Sequence, residues 1–125
     1  MTLVDTSAWI HCLRVEGDPA VRDRVQSLLA AGEAAWCDMV KLELWNGARG
    51  ETEKRVLREM EEALVLLPSG DDVWQTAFRL ARVTRQAGKT VPATDLLISA
   101  CAQTHGADLV HDDQHLAELT KLNAN

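Results

Sequence analysis

Acidic residues stand at the points where apolar segments of this chain meet turns or helices. Asp5 ends the run Met1-Thr2-Leu3-Val4, and Glu43 lies inside Val40-Lys41-Leu42-Glu43-Leu44-Trp45. Asp95 opens the apolar stretch Leu96-Leu97-Ile98, while Asp112 and Asp113 follow Asp108-Leu109-Val110. Carboxylates that converge from the ends of several core elements repel one another. They become tolerable when they hold a hard divalent cation such as Mg²⁺ or Mn²⁺. The chemistry such an array supports is metal-assisted hydrolysis of a phosphodiester. No Ser/His/Asp arrangement for nucleophilic catalysis is evident. His11, His105, His111 and His115 lack zinc-ligand spacing.

The elements that must carry these acids alternate between strand and helix. Met1 to Asp5 reads as a short buried strand, with Thr6 or Ser7 capping a helix over Ala8 to Leu13. Asp18-Pro19 opens a second helix, with Asp18 as cap and Pro19 at its first position, and Gly32 stops it. Ala34 to Cys37 reads as a strand, and Asp38 as the cap of a helix from Met39 to about Arg49. A charged helix follows Gly50 through about Ala63, with Val56, Leu57 and Met60 as its apolar stripe. Leu64 to Leu67 reads as a buried strand. A long helix runs from Asp71 or Asp72 to about Ala87, its inner face formed by Trp74, Ala77, Phe78 and Ala81. The helix from Asp95 to His105 is apolar on nearly every side and should be central. Ala107 to Val110 is the last strand, His115 to Leu122 a final helix, and Asn123-Ala124-Asn125 a loose tail. This alternation implies an α/β fold with a parallel sheet covered by helices on both faces.

At 125 residues with 46% apolar content the chain suits one compact domain, residues 1–125, and argues against disorder. Trp supplies four of the five aromatic residues and Tyr is absent, which disfavours a base-stacking sheet surface. Apolar runs fall well short of the ~20 residues a membrane helix needs. No basic region precedes Asp5, so a secretory signal is not expected, and a cytoplasmic setting is. The net charge of −6 would disfavour a simple nucleic-acid binder. A nuclease escapes that rule, because its acids concentrate at a cation that reverses the local field. Cys12, Cys37 and Cys101 lack CxxC spacing and read as buried thiols in a reducing compartment.

Four segments together carry a family resemblance. Val4-Asp5-Thr6-Ser7-Ala8-Trp9 resembles the amino-terminal motif of PIN-domain ribonucleases, and Glu43-Leu44-Trp45-Asn46-Gly47-Ala48 their second. Pro92 to Ala100 resembles the third motif, an Asp opening an apolar helix. Leu109 to Leu116 resembles the fourth, an Asp after the last strand. The resemblance covers essentially the whole chain, in the right order, and its size and compactness look like those of VapC toxins of toxin–antitoxin pairs. The resemblance implies a three-layer αβα PIN-like fold with a short central parallel β-sheet. It also implies a metal-dependent endoribonuclease using Mg²⁺ or Mn²⁺, with transfer or ribosomal RNA as substrate. By position it assigns Asp5, Glu43, Asp95 and Asp113 to the metal site. Thr6 would be the polar residue beside the first acid, with Asp112 a further supporting polar group. The chain departs from the common pattern at His111, where Thr or Ser is usual, and at Leu116, where Phe is usual. A homodimer is also implied, as is a small VapB-like antitoxin that covers the acidic site with a basic side chain. The helices near Trp9, Trp45 and Val56-Leu57-Met60 offer apolar surface for such partners.

Plainer readings exist for each residue taken alone. Asp95 could serve only a helix start, Glu43 could be a solvated helix residue, and one of Asp112 and Asp113 a turn or cap residue. Arg79, Arg82, Arg85 and Lys89 form a basic stripe that could touch RNA phosphates or simply be solvated, and Lys54, Arg55 and Arg58 form another. His111 and His115 stand near enough to the fourth acid to touch substrate. Among rival functions, a phosphotransfer receiver domain would need paired acids after the first strand, and Asp5 stands alone. A haloacid-dehalogenase-type phosphatase would need a second Asp at the position of Ser7. A catalytically inactive PIN-like binding module would usually have lost one or more of the acids. A DNA-directed metal-dependent nuclease remains open, since the same chemistry cuts either backbone.

Overall fold

The computed structural model describes residues 1–122; the expected tail, residues 123–125, lies outside it. Four strands and seven helices alternate: β1 (Thr2–Val4), α1 (Thr6–Leu13), α2 (Pro19–Ala30), β2 (Ala34–Cys37), α3 (Asp38–Asn46), α4 (Gly50–Ala63), β3 (Val65–Leu67), α5 (Asp71–Gln86), α6 (Ala93–Thr104), β4 (Asp108–Val110) and α7 (Gln114–Thr120). The strands form one parallel sheet in the order β3-β2-β1-β4. The first two crossovers step to one side of β1, and the third returns past it to place β4 on the other. Because such crossovers are right-handed, the α1–α4 connections and the α5–α6 connection fall on opposite faces. Strand order therefore reverses between β1 and β4, and their carboxyl ends open the crevice where α/β sheets bind ligands.

The core is built from apolar residues of every layer. Leu3, Val4, Trp9, Ala35, Trp36, Val40, Leu57, Leu80 and Ile98 are all at most 2% exposed. As expected for a central helix, Leu97 through Ala102 of α6 are buried without interruption. Asp18 caps α2 by accepting from the amides of Ala20 and Val21, and Pro19 occupies the first turn. Gly88 and Gly106 follow α5 and α6 at φ of +74° and +63°. A Cβ at either would meet nothing within 4 Å, so glycine is needed there for its backbone conformation and not for space.

Several sequence expectations change in detail. The cap of α1 is Asp5 itself, not Thr6 or Ser7, and α3 begins at Asp38 behind Cys37, which makes no side-chain capping bond. Of the two candidate turn or cap residues, Asp113 is the one that caps α7. The third strand is not buried: Val65 and Leu66 are 45% and 40% exposed, because β3 is a sheet edge with β2 as its sole strand neighbour. The inner face of α5 is Val73, Thr76, Ala77, Leu80 and Thr84, while Trp74 and Phe78 point outward. The helix is turned by one residue from the expected stripe, about 100°. The neighbouring α6 brings Ser99, Ala100, Cys101 and Ala102 to the interior. Thr84 donates to the Ala81 carbonyl and Thr104 to Thr76, so the buried hydroxyls are satisfied.

Candidate metal centre

Asp5 is the most deeply set of the candidate acids, 4% exposed at the end of β1. Its amide donates to the Val110 carbonyl of β4, which ties the two strand ends together. One carboxylate oxygen, Oδ2, accepts from the Ser7 amide at 3.0 Å and from the Ser7 hydroxyl at 2.6 Å. The same hydroxyl accepts from the Asp112 amide at 2.9 Å. Ser7 thus fixes the Asp5 carboxylate and at the same time anchors the loop after β4. The neighbouring Thr6 points the other way and donates to Glu43 Oε1 at 2.8 Å, linking α1 to α3.

The remaining acids face one another across this crevice. Asp95 sits in the first turn of α6, with its side chain 13% exposed, and Asp113 caps α7 by accepting from the Leu116 amide. Ligand atoms of Asp95, Asp113 and His115 lie within 4.8 Å of one another. Burial, and then the charges of Asp113 and Asp5, push the Asp95 carboxyl up to about 6, with Glu43 adding to the effect and His115 opposing it. Glu43 is raised by burial and by Asp5 and Asp113, against the lowering effect of the Thr6 hydrogen bond. These mutual influences tie all four acids to one electrostatic site drawn from β1, α3, α6 and the β4–α7 turn. The donors are carboxylate oxygens, which suit a hard divalent ion, and neutralising such crowded charge is what an ion would do there. Gly47 is the C-cap of α3, and an added Cβ there would make only ordinary contact at 3.5 Å with the Glu43 carbonyl.

Asp112 and Asp113 diverge. Asp113 turns inward to Asp95, whereas Asp112 is bonded to His11 Nε2 at 2.8 Å on the outer side. The Asp18 amide donates to Nδ1 of His11, so the proton of the neutral ring resides on Nε2 and points at Asp112. His111 supports Asp113: its Nδ1 accepts from the Asp113 amide at 3.3 Å, doing with a ring nitrogen what a hydroxyl oxygen could do at that position. The basic stripe is only partly free. Lys89 is paired with Glu118 of α7, and Arg79 bonds Thr76 of its own helix. Arg82 and Arg85 are exposed. Sequence reasoning treated Ser7 as a helix cap and gave His11 no role, although both position the loop that carries the fourth acid. The Asp-x-Ser spacing at residues 5–7 was the available signal for Ser7; nothing local signalled His11, whose partner is 101 residues away.

A small cleft beside Glu43 is lined by Thr6, Ile10, Arg14, Gly47 and Glu53. Arg14 there is paired with Glu53 at 3.0 Å, both side chains being about 15% exposed. A cation is therefore held near the acids without neutralising any of them.

A parallel sheet with four acids drawn from four elements at its crevice is an α/β arrangement that could hold a divalent ion. Residues 2–122 match the PIN domain, and the chain belongs to the PIN-domain family. It is 34% identical over 99% of its length to ribonuclease VapC11 of Mycobacterium tuberculosis, covering 97% of that protein. Among solved structures it resembles VapBC2 from Rickettsia felis, bound there to a promoter DNA fragment (TM-score 0.77, 15% identity, 98% of this chain and 93% of that one). It also resembles the toxin–antitoxin pair VapBC-5 of Mycobacterium tuberculosis (TM-score 0.71, 22% identity, 98% and 93%). At such identities the structural likeness speaks for the fold.

Proposed function

We propose that this chain is the toxin component of a VapBC-type pair, an endoribonuclease that hydrolyses RNA phosphodiester bonds with Mg²⁺ or Mn²⁺. The observation that carries this reading is the convergence of Asp5, Glu43, Asp95 and Asp113 on one crevice, in a chain similar over its length to a VapC ribonuclease. A divalent ion bound there would polarise the scissile phosphate and lower the pKa of an attacking water. Asp95 and Asp113 would hold it from the α6 and α7 side, with Asp5 and Glu43 opposite, direct or through water. Ser7 keeps one Asp5 oxygen occupied and leaves the other for the ion. Thr6 holds Glu43 in place. Arg82 and Arg85 are the side chains we assign to RNA phosphates.

A VapB-like antitoxin would cover the acidic crevice with a basic side chain, a reading that rests on the family and on the −6 net charge. For the homodimer we use a different surface from the one the sequence suggested, because Trp9, Leu57 and Met60 are buried in the core and Trp45 and Val56 pack partly against it. We assign it instead to the outward ring pair Trp74 and Phe78, 6.3 Å apart, and to Leu42, which with Met39, Leu97 and Trp74 lines one shallow depression. Light scattering is expected to give a dimer for the wild type and a monomer for Trp74→Ala; a wild-type monomer would end that assignment.

The nuclease reading is tested with matched RNA and DNA oligonucleotides, stripped protein, and Mg²⁺ or Mn²⁺ added back. Cleavage of RNA alone, only with metal, is expected. Cleavage of DNA would turn the reading to a DNA-directed nuclease, and binding without cleavage to a PIN-like binding module.

A further inference from the structure

His115 stands two residues after Asp113, the cap of α7, and turns its ring toward the acids. Nδ1 lies 3.7 Å from Asp95 Oδ2 and 3.8 Å from Asp113 Oδ1. Both distances are too long for hydrogen bonds. They are the separations expected of donors that share an ion: atoms each ~2.1 Å from one cation stand roughly 3–4 Å apart. Among the described residues this trio is the group of acid and imidazole donors close enough to hold an ion. The other ring beside the site, His111, already spends its Nδ1 on the Asp113 amide.

Resting on the metal-site reading above, we propose that His115 supplies an imidazole nitrogen to the ion shared by Asp95 and Asp113, and that this donor biases the site toward Mn²⁺ over Mg²⁺. Four carboxylates alone discriminate little between the two ions. Mg²⁺ is hard, favours oxygen and keeps its waters, whereas imidazole affinity rises along the first-row series. A nitrogen in the donor set therefore strengthens Mn²⁺ binding more than Mg²⁺ binding. A histidine serving only as a counter-charge would behave oppositely, because its removal would relieve competition and tighten both ions.

The experiment is calorimetric titration of metal-stripped protein with MnCl₂ and with MgCl₂ at pH 7.5, for wild type, His115→Ala and His115→Asp. Pulsed electron paramagnetic resonance of the Mn²⁺-loaded samples accompanies it. The expected result for His115→Ala is Mn²⁺ binding weakened roughly tenfold or more, with Mg²⁺ changed less than about threefold. The nitrogen coupling to Mn²⁺ present in wild type is expected to vanish. His115→Asp, which keeps a donor but makes it oxygen, is expected to shift the preference toward Mg²⁺ and remains informative if alanine loosens α7. Unchanged or tighter Mn²⁺ binding in His115→Ala, or no nitrogen coupling in wild type, overturns the imidazole ligand while leaving the acidic site intact. Absence of saturable Mn²⁺ binding in wild type overturns the metal site itself, and this proposal with it.

Discussion

Asp95 keeps its proton up to about pH 6 in the folded, metal-free protein, against an ordinary value of 3.8, first because it is buried and next because Asp113 and Asp5 face it. Between those two values the folded chain binds more protons than the unfolded one, so stability falls as pH rises through the window. Asp95→Asn removes the charge at every pH. Without metal it is expected to be about 1–2 kcal/mol more stable than wild type above pH 6, with the difference shrinking toward pH 4. That is less than the full shift would give, because the crevice opens to solvent. Urea titrations at pH 4.5 and 7.5 check this, and a variant less stable than wild type at pH 7.5 would contradict it. Asp5 has two roles that substitution separates. Asn caps a helix about as well as Asp, so Asp5→Asn is expected to fold with a near-wild-type melting temperature and to lose cleavage. Asp5→Ala is expected to lose cleavage and a further ~1 kcal/mol of stability with the cap. Full activity in Asp5→Asn would remove Asp5 from the site.

At the scale of elements, the site depends on two hydroxyls that bond across the chain. Ser7 joins α1, the end of β1 and the loop before α7, and Ser7→Ala leaves both the Asp5 carboxylate and the Asp112 amide short of a partner. An expected cost of about 1–3 kcal/mol, together with weaker metal binding, is readable by thermal melts with and without Mn²⁺. Equal effects of metal on mutant and wild type would show that Ser7 serves the loop alone. The elements themselves were largely legible in the sequence, because apolar periodicity, Asp18-Pro19 and the helix-ending glycines are local signals. The rotation of α5 was not. It is set by packing against α6, where Thr104 meets Thr76, and ranking Trp74 and Phe78 above Thr76 and Thr84 by hydrophobicity cannot see that. The exposure of β3 was likewise hidden, since being an edge is a property of strand order and not of the run Val65-Leu66-Leu67. The candidate acids were readable as residues at element ends. The separation of Asp112 from Asp113 was not, because it depends on His11 and His111 pulling the two neighbours apart.

For the molecule as a whole, the strand order β3-β2-β1-β4 shows how an acidic chain could act on a polyanion, as the proposed function requires. The reversal between β1 and β4 gathers the acids at one crevice, and a cation bound there would turn it from a repulsive patch into an attractive one. No helix among the described residues is long and apolar enough to cross a membrane. The central claim is that this crevice is a metal-dependent ribonuclease site. It is met most directly by incubating total cellular RNA with purified, antitoxin-free wild type and with Asp95→Asn, in Mg²⁺ or Mn²⁺, with and without EDTA. The account expects discrete products from wild type alone, abolished by EDTA and restored by added metal. Cleavage that persists in EDTA, or that Asp95→Asn carries out as well as wild type, would contradict it.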